Sequence, residues 1–455
     1  MQPSACPGLL HIVAARDGGL CRIRLPGGAI EVDQLHALAR AVERHAGGPV
    51  EVTNRANLQV RGIRAGHEAA LSQALIEAGL GPGGQRDLSL ADAQAADGRR
   101  NLMFSSGAGR DPDALIDTRA LATSLLDTLQ NEARFAALSP KFALLLDGGE
   151  RLAMREHPHD IWFAAQPVET GVRFAFGLAG CPGSETSPSS PALGVVTPEQ
   201  VPALLHALLH AFLDLATPEQ ARMRDLLRTQ PATVILRQAQ SYLDFQPQPA
   251  GTWTRRTTDP TLRFGPHPQG TSGLWWVGGQ PPLGRLDARA LHALAELAQA
   301  ASVSAEQAQA TVLMTPWQSI LLPDLVEAAV IPSLAAMEGL GFTCDPAAPY
   351  AGLIACAGSS GCVKGRADTK SDARYLATHL PHHGPAAIEL HLSGCERSCA
   401  AAHCAAHTLL AVAPGHYDLY ERDGEAGFGR LVAPHLSLEH IKAVLAQSAR
   451  SPIDV

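Results

Sequence analysis

The apolar positions along the chain fall into two segments that repeat the same order of predicted elements. Leu35-His-Ala-Leu-Ala39 recurs as Leu291-His-Ala-Leu-Ala295, and both copies follow a glycine turn and open an amphipathic helix. Each helix is followed by a β-rich run that contains a threonine, Val50–Thr53 in the first copy and Val312–Thr315 in the second. An internal repeat of this kind indicates a duplicated fold, in which each copy is a small strand–helix–strand unit.

A second pair of matching segments predicts two larger α/β units. Asp117-Thr-Arg119 opens one helix and Asp368-Thr-Lys370 opens another, and a Gly/Ser-rich loop precedes each of them. The apolar run from Leu204 to Leu215 predicts a further helix in the first of these units. The order is therefore A–B–A′–B′, and we expect the two A units to pair into one domain by pseudo-twofold symmetry.

The length of 455 residues fits several structural units better than one core. We place the first half-domain at residues 1–85, the first α/β domain at 86–240, the second half-domain at 241–330 and the second α/β domain at 331–455.

Composition and charge narrow the classes of function. Hydrophobic residues make up 46% and charged residues 18%, which is ordinary for a folded protein. The net charge of −8 favours neither nucleic acid nor a membrane surface as a partner. The first residues lack the pattern of a signal peptide, and no apolar run reaches about 18 residues, so we expect a cytoplasmic protein. The odd number of cysteines, nine, fits poorly with a closed disulfide framework.

Four cysteines form two close pairs, Cys356-x5-Cys362 and, after a gap of 32 residues, Cys395-x3-Cys399. Such a set can bind zinc or an iron–sulfur cluster, or remain unliganded. The five-residue spacer favours the larger 4Fe-4S cluster, because zinc sites usually use tighter spacers in both pairs. Gly361 and Gly394 precede two of these cysteines and would let the backbone approach the sulfurs.

The remaining cysteines have weaker patterns. Cys404 follows Cys399 closely and is an alternative fourth ligand. Cys6, Cys21, Cys181 and Cys344 have no paired spacing and are expected to be small buried residues. The first α/β unit has no cysteine where the second has its pairs: residues 105–110 and 146–149 stand there instead. We expect a vacated surface at that position, which could face a substrate.

A basic segment, Thr53-Asn-Arg-Ala-Asn-Leu-Gln-Val-Arg-Gly62, has a period of two. In a single strand, Thr53, Arg55, Asn57, Gln59 and Arg61 would share one face. That face is either a solvated edge or a wall of donors for carboxylates, which arginine binds in a bidentate manner. Arg100 and Lys141 could extend the wall, although each alone is typical of a surface residue.

The cysteine pattern, the basic segment and the duplication resemble the sirohaem-dependent nitrite and sulfite reductase superfamily. Within it, the sequence looks most like the precorrin-3B synthase family of the aerobic cobalamin pathway. The segments that carry this resemblance are Cys6–Gly8, Pro26–Gly28, Thr53–Gly62, Leu138–Phe142, Thr315–Gln318 and His391–Cys395. The resemblance implies an α+β fold with two paired ferredoxin-like half-domains and two α/β domains. The second α/β domain would bear the cluster.

By the same resemblance, the expected activity is O2-dependent hydroxylation of precorrin-3A with lactone formation, which gives precorrin-3B. The family implies a 4Fe-4S cluster, a mononuclear non-haem iron and NADH as the formal donor, with an electron donor protein that the sequence does not identify. Carried over by motif, the carboxylate-binding residues are Arg55, Arg100 and Lys141, to which the strand period adds Asn57, Gln59 and Arg61. The cysteine that bridges to sirohaem in the reductases corresponds to Cys399, which here is expected to face the macrocycle.

The sequence departs from the reductases at Ala143, where many of them place a second lysine, and in the run from Ala400 to Cys404. The first departure disfavours a sirohaem reductase, which remains the alternative function, and the second leaves the geometry of the loop after Cys399 open. A non-catalytic iron–sulfur sensor or scaffold is a further alternative, although no DNA-binding helices or acidic tail is visible. For a second iron, two groups have suitable spacing and neither is compelling: His403 with His407, and His157 with His159 and Asp160.

Overall fold

The computed structural model describes most of the chain. The described residues are 6–82, 89–154, 156–169, 171–182, 192–251, 253, 255–270, 272–301, 310–380, 387–401, 405–423 and 427–448. Two sequence predictions, for Cys404 and His403, lie outside these ranges. No helix in the described ranges is long and apolar enough to span a membrane.

Two antiparallel sheets form the half-domains, and they exchange strands. The first sheet has the order β1-β2-β5-β4-β13 and the second β11-β12-β15-β14-β3. Strand β13 therefore leaves its own half to pair with β4, and β3 leaves its half to pair with β14. Their bounds are β1 Val13–Ala15, β2 Gly18–Ile23, β3 Ala29–Glu31, β4 Val50–Val52, β5 Leu58–Ile63, β11 Gly265–Gln269, β12 Leu274–Gly279, β13 Arg285–Leu286, β14 Thr311–Met314 and β15 Ile320–Leu325.

The repeated five-residue segments lie in two helices that pack on each other, α1 (Val32–His45) and α8 (Ala288–Ala301). The histidine of one segment contacts that of the other, with the Nδ1 atoms of His36 and His292 2.8 Å apart. One apolar core runs through both half-domains and includes Leu35 and Leu291. The predicted pseudo-twofold pairing of the two halves is confirmed by this contact and by the exchanged strands.

The two α/β domains share one topology. Their sheets have the orders β10-β9-β8-β7-β6 and β16-β17-β18-β19-β20. In each sheet, the first three strands along the chain are parallel, and the last two are added antiparallel. The bounds are β6 Leu102–Phe104, β7 Leu144–Asp147, β8 Ile161–Val168, β9 Gly171–Leu178, β10 Gly194–Val196, β16 Leu353–Ala355, β17 Leu390–Ser393, β18 His407–Ala413, β19 His416–Glu421 and β20 Arg430–Ser437. The duplicated α+β architecture is thereby confirmed.

Helices cover these sheets and begin where the sequence predicts. Helix α4 follows Asp117 and α11 follows Asp368, and α5 contains the apolar run that ends at Leu215. The remaining bounds are α2 Glu68–Glu77, α3 Leu90–Arg99, α4 Arg119–Asn131, α5 Val201–Leu215, α6 Met223–Leu227, α7 Ala232–Gln240, α9 Glu327–Gly339, α10 Gly358–Gly361, α11 Thr369–His379 and α12 Leu438–Ser448.

The single strand predicted for residues 53–62 is wrong, because a turn interrupts it between β4 and β5. The Thr53 N–H donates to the Asn57 carbonyl at 2.8 Å, and the Thr53 hydroxyl accepts from the Asn57 N–H at 3.2 Å. Ala56 adopts a left-handed φ of 55° within this turn. Arg55 therefore lies at the tip of a hairpin and does not share the face of Gln59 and Arg61.

Candidate active site and cysteine centre

The four paired cysteines follow two neighbouring parallel strands of the second α/β domain. Cys356 comes directly after β16, and Cys362 follows α10; Cys395 and Cys399 lie in the turn after β17. Because the carboxyl ends of parallel strands lie at one edge of the sheet, the fold gathers both pairs there. Burial raises the pKa of Cys399, and the charges of the other three cysteines raise it further, which shows that the four lie near one another.

Two backbone N–H groups are directed at the sulfur of Cys356. Its Sγ atom accepts N–H groups from Gly394 at 3.1 Å and Gly358 at 3.4 Å, and the Thr369 hydroxyl lies 3.6 Å away. Peptide N–H groups directed at sulfur stabilise negative charge on it and tune bound clusters. A side chain at Gly394 would place a Cβ atom 3.3 Å from this sulfur, so this glycine allows a close approach to Cys356, which is not the cysteine that it precedes in the sequence.

Gly361 has another role than the predicted one. A Cβ atom there would lie 2.6 Å from Nη2 of Arg61, so this glycine makes room for a guanidinium group and not for a sulfur. Arg61 donates to the Gly361 carbonyl at 2.8 Å and to both Asp17 oxygens at 2.8 and 3.0 Å. Arg61 also lies 3.8 Å from Glu51. It therefore joins the first half-domain to the loop between Cys356 and Cys362.

The spacing of the sulfurs suits a cluster better than zinc. A tetrahedral zinc site with Zn–S bonds of about 2.3 Å holds its sulfurs about 3.8 Å apart. All four cysteines belong to the described residues, yet no three of their sulfurs lie within 4.8 Å of one another. A four-iron cluster is larger and holds its thiolates further apart. The four side chains are therefore not arranged as a tetrahedral zinc site.

Three arginines, Arg22, Arg55 and Arg222, lie near the exposed cysteine of this set, and we call this group the basic cleft. The Asn54 side-chain amide donates to the Cys399 carbonyl at 3.3 Å, which brings the β4–β5 turn against the cysteine loop. Arg55, at the tip of this turn, has a buried Nη1 atom with no hydrogen-bond partner among the described residues. Burial and the neighbouring Arg222 lower the pKa of Arg55 to about 10. The field of Arg22 on β2 reaches both Arg55 and Cys399, so these groups belong to one region.

Two further cleft residues come from β2 and from the segment before α6. Arg22 has a buried Nε atom without a partner in the described ranges, and its Nη2 donates to Gln59 at 3.3 Å. Arg222 donates through Nε to both Asp160 oxygens, at 3.0 and 2.8 Å. Sequence reasoning missed both arginines. Arg22 on β2 and Arg24 directly after this strand alternate in the sequence, which was the available signal, whereas nothing in the sequence relates Arg222 to the cleft.

The remaining predicted carboxylate-binding residues take other positions. Asn57 accepts the Leu25 N–H at 2.8 Å, and Gln59 donates to Glu51 at 3.2 Å, so both help to hold the hairpin. Arg100 donates to the carbonyls of Leu80 and Arg24, at 3.0 and 3.1 Å.

Lys141 is exposed, and the Ala143 N–H that follows it along the chain donates to Asp160 at 2.8 Å. Of the six predicted carboxylate-binding side chains, Arg55 therefore has the clearest unpartnered donor facing the cleft.

The two histidine groups considered for a second iron stand differently. His407 begins strand β18, and His403 lies outside the described residues. In the other group, Asp160 is already used by Arg222 and by two backbone N–H groups, those of Ala143 and Met223. Cations beside His159 also disfavour a metal ion there.

Glu132, His206 and His210 bring three ligand atoms within 4.8 Å of one another, a group that sequence reasoning missed. Arg134 donates to Nδ1 of His210 at 3.0 Å. The neutral ring of His210 therefore keeps its proton on Nε2, which lies 3.2 Å from His206 and could not ligate a metal in that state.

The first α/β domain has filled the position that corresponds to the cysteines. Ser105 and Ser106 are buried and donate to the carbonyls of Leu152 and Met314, both at 2.6 Å. Asp147 is buried in an ion pair with Arg255. The predicted vacated position is therefore not an open surface, because these residues are buried, although Ser105, Ser106 and Asp147 line a narrow cavity there.

Buried Cys21 and Cys344 match the expectation for unpaired cysteines, and burial raises the pKa of Cys344 to about 12. Cys6 and Cys181 do not match this expectation, because both are only half-buried.

Comparison with known families agrees with this architecture. The ferredoxin-like half-domain of nitrite and sulfite reductases matches residues 13–78 and 267–340, and the nitrite and sulphite reductase 4Fe-4S domain matches 95–246. Together these matches cover well over half of the chain. The second match falls on the α/β domain whose only cysteine is Cys181, so it identifies the domain type and not the ligands. It supports an iron–sulfur cluster in the chain as a whole.

Relatives of two kinds share the full architecture. A precorrin-3B synthase from Sinorhizobium sp is 27% identical over 92% of this chain and 83% of its own. A ferredoxin–nitrite reductase from Synechococcus elongatus is also 27% identical, over 84% of this chain and 73% of its own. The NirA protein of Mycobacterium tuberculosis has the same fold, with a TM-score of 0.76 over 95% of this chain and 80% of that one at 20% identity. The chain therefore belongs to the nitrite and sulfite reductase superfamily, whose members compared here by sequence are oxidoreductases.

Proposed function

We propose that this protein is a tetrapyrrole-modifying oxidoreductase that acts as a precorrin-3B synthase. It would hydroxylate precorrin-3A with O2 and allow a ring acetate to close a lactone, with NADH as the formal electron donor. The observation that carries the proposal is the likeness to the Sinorhizobium synthase over 92% of the chain. The buried, unpartnered donors of Arg22 and Arg55 add chemical support.

The cluster in this proposal is held by Cys356, Cys362, Cys395 and Cys399. Support comes from their place at one sheet edge, from the N–H groups directed at Cys356 and from sulfur spacing wider than zinc requires. When bound, a 4Fe-4S cluster supplies single electrons at a potential set by its surroundings. A ferredoxin-like protein is the class of donor we propose, since the nitrite reductase relatives bear that name.

The substrate side of the proposal rests on charge. Precorrin-3A is a polycarboxylate, while this chain has a net charge of −8, so binding requires a local concentration of cations. Arg55 and Arg22 offer buried guanidinium donors, and Arg222 uses only Nε for Asp160. An unpartnered buried donor costs stability unless a ligand completes it. Carboxylates would do so here.

The other predicted residues have narrower roles in this proposal. Gln59 would orient Arg22, Asn57 would shape the hairpin, and Arg61 would fix the cysteine loop. Arg100 would hold the backbone beside Arg24.

Lys141 is exposed and would reach a carboxylate at the rim of the cleft. A bound macrocycle that touches these donors would lie close to Cys399, because the Asn54 contact joins the two regions.

A sirohaem-dependent reductase is the second candidate, favoured by the equal identity to the cyanobacterial nitrite reductase. Against it, Ala143 is fully buried where many reductases have a second lysine, and its N–H is used by Asp160. The cation available nearby is Arg222, which comes from a different segment and is tied to Asp160.

Two measurements separate the candidates. Protein purified without oxygen should show broad iron–sulfur absorption, and acid extraction should release no sirohaem. Incubation with precorrin-3A, a reductant and labelled O2 should transfer labelled oxygen to the product, as read by mass spectrometry. Stoichiometric sirohaem together with nitrite or sulfite reduction would overturn the synthase proposal.

The Cys356→Ser variant is the matched control for cluster-dependent turnover. It should lose the labelled product because Cys356 belongs to the proposed cluster set. It should retain precorrin-3A binding because the proposed substrate donors, such as Arg55, are unchanged.

A further inference from the structure

His159 has a buried lone pair without a partner, and it lies near Arg55 and Arg222 of the basic cleft. Its Nδ1 lies 2.7 Å from the His157 carbonyl, and a carbonyl only accepts, so Nδ1 carries the proton of the neutral ring. Nε2 is then an acceptor, and it is buried without a hydrogen bond to any described residue. The side chain as a whole is 2% exposed. A buried acceptor of this kind needs a partner, which an ordered water or a ligand can supply.

The groups around His159 keep its ring neutral in the free protein. Burial lowers its pKa well below the ordinary value, and the cations of Arg55 and Arg222 lower it further. Arg55 comes from the β4–β5 turn, Arg222 from the segment before α6, and His157 and Asp160 from its own loop. The one carboxylate among these neighbours, Asp160, is engaged by Arg222 through both oxygens.

A carboxylate entering this cleft changes that balance. It would accept from the unpartnered guanidinium groups, but its oxygens cannot meet the bare Nε2 lone pair, because both are acceptors. A proton between oxygen and nitrogen removes the conflict. The incoming negative charge also offsets Arg55 and Arg222, the two cations that oppose protonation of the ring.

We propose that His159 binds a carboxyl group of the tetrapyrrole at Nε2 together with one proton taken up from solvent. This inference rests on the proposed function and adds a proton-linked carboxylate site to it. Ligand affinity should then rise as the pH falls, by up to about tenfold per pH unit where the free ring is neutral and the bound one is charged. Below the free-state pKa of His159 the dependence should disappear.

The test uses the intact cluster-containing protein and metal-free uroporphyrin, a polycarboxylate tetrapyrrole. Anaerobic calorimetric titrations at about pH 6.5 in two buffers of different ionisation enthalpy give the number of protons taken up on binding. The free carboxyl groups titrate near pH 4 and contribute little at this pH. We expect roughly one proton for the wild-type protein, as the linkage requires.

Variants locate that proton. His159→Gln keeps a polar side chain that can donate to a carboxylate, so it should bind uroporphyrin without proton uptake. His206→Phe, on helix α5, removes a half-exposed histidine outside the cleft and should behave as the wild type does. Because the wild-type count is itself a test, the proposal stays falsifiable even if a His159 variant folds poorly.

The outcomes separate this inference from the proposed function. Wild-type binding without proton uptake, or uptake that persists in His159→Gln, overturns the role of His159. If binding weakens in Arg55→Ala while the proton count is zero, the proposed cleft stands and only this inference fails. If uroporphyrin does not bind, or binds Arg55→Ala as tightly as wild type, the proposed tetrapyrrole site fails and His159 fails with it.

Discussion

Replacing Arg61 tests whether this arginine binds substrate, as its place in the basic segment suggested, or supports the cluster loop. Its side chain is buried, with three hydrogen bonds to Asp17 and Gly361 and an ion pair to Glu51. No part of this set points to a ligand, whereas Gly361 directly precedes Cys362. We expect Arg61→Ala to lower stability and iron content together.

The loss of stability in Arg61→Ala depends on which contacts remain for the three partners of Arg61. Asp17 has a side chain 27% exposed and can regain water, so losing that pair should cost about 1 kcal/mol. Glu51 retains Arg285 at 2.9 Å and Lys370 at 3.9 Å, so it is not left as a lone buried charge. The orphaned Gly361 carbonyl adds about 1–3 kcal/mol. The sum, about 3 kcal/mol, falls at the lower end for breaking a buried ion pair.

Thermal unfolding and iron analysis measure this prediction. For a domain of this size, about 3 kcal/mol corresponds to a loss of roughly 6–12 °C in Tm. Arg61→Lys keeps the charge without the planar fork and should fall between wild type and Arg61→Ala. Arg64→Ala, at an exposed arginine on the same hairpin, should change neither quantity. Wild-type stability and iron content in Arg61→Ala, with weaker uroporphyrin binding, would refute the structural role.

Three further predictions concern other parts of the fold. Burial and Asp147 raise the pKa of Glu150 to about 8, so the folded protein holds this proton more tightly than the unfolded chain does. The free energy of unfolding should therefore fall as the pH rises from about 4.5 to 8. In urea unfolding at each pH, Glu150→Gln should remove at least about 1.4 kcal/mol of that loss. Asp160→Ala orphans two backbone N–H groups and Arg222, and should cost about 3 kcal/mol in the same assay; an effect under about 1 kcal/mol would contradict this accounting. Cys356→Ser should lower the iron content measured by colorimetric assay, whereas Cys344→Ser, at a buried cysteine outside the set, should leave it unchanged.

The duplication was predictable because it leaves a repeated local pattern. The paired helices α1 and α8 contain the same five residues, and each of the two α/β domains begins a helix at an Asp-Thr pair. The strand exchange was not predictable, since β3 and β13 are only three and two residues long. Strands this short carry almost no pattern of their own, and their partners lie in the other half of the chain.

The candidate site divides in the same way. Cysteine spacing is local, so a ligand set can be proposed from the sequence alone. The cleft is assembled from separate elements: Arg222 meets Asp160 across 62 residues, and His159 reaches Arg55 only through the packing of two domains. The period-two interpretation of residues 53–62 failed because Thr53 can close a turn with its own hydroxyl. Local side-chain bonds of this kind compete with strand pairing and are hard to read from alternation alone.

The two repeats contribute different chemistry, and the cleft depends on both. In the second repeat, the sheet edge after β16 and β17 presents thiolates, with Thr369 beside Cys356. In the first repeat, the matching edge holds buried Asp147, neutralised by Arg255. The cations and His159 come from the first half-domain and the first α/β domain, and they meet the cysteine loop at the Asn54 contact with Cys399. The paired cysteines and these cations therefore come from different repeats, so the proposed cluster and the proposed carboxylate site both depend on how the two repeats have diverged.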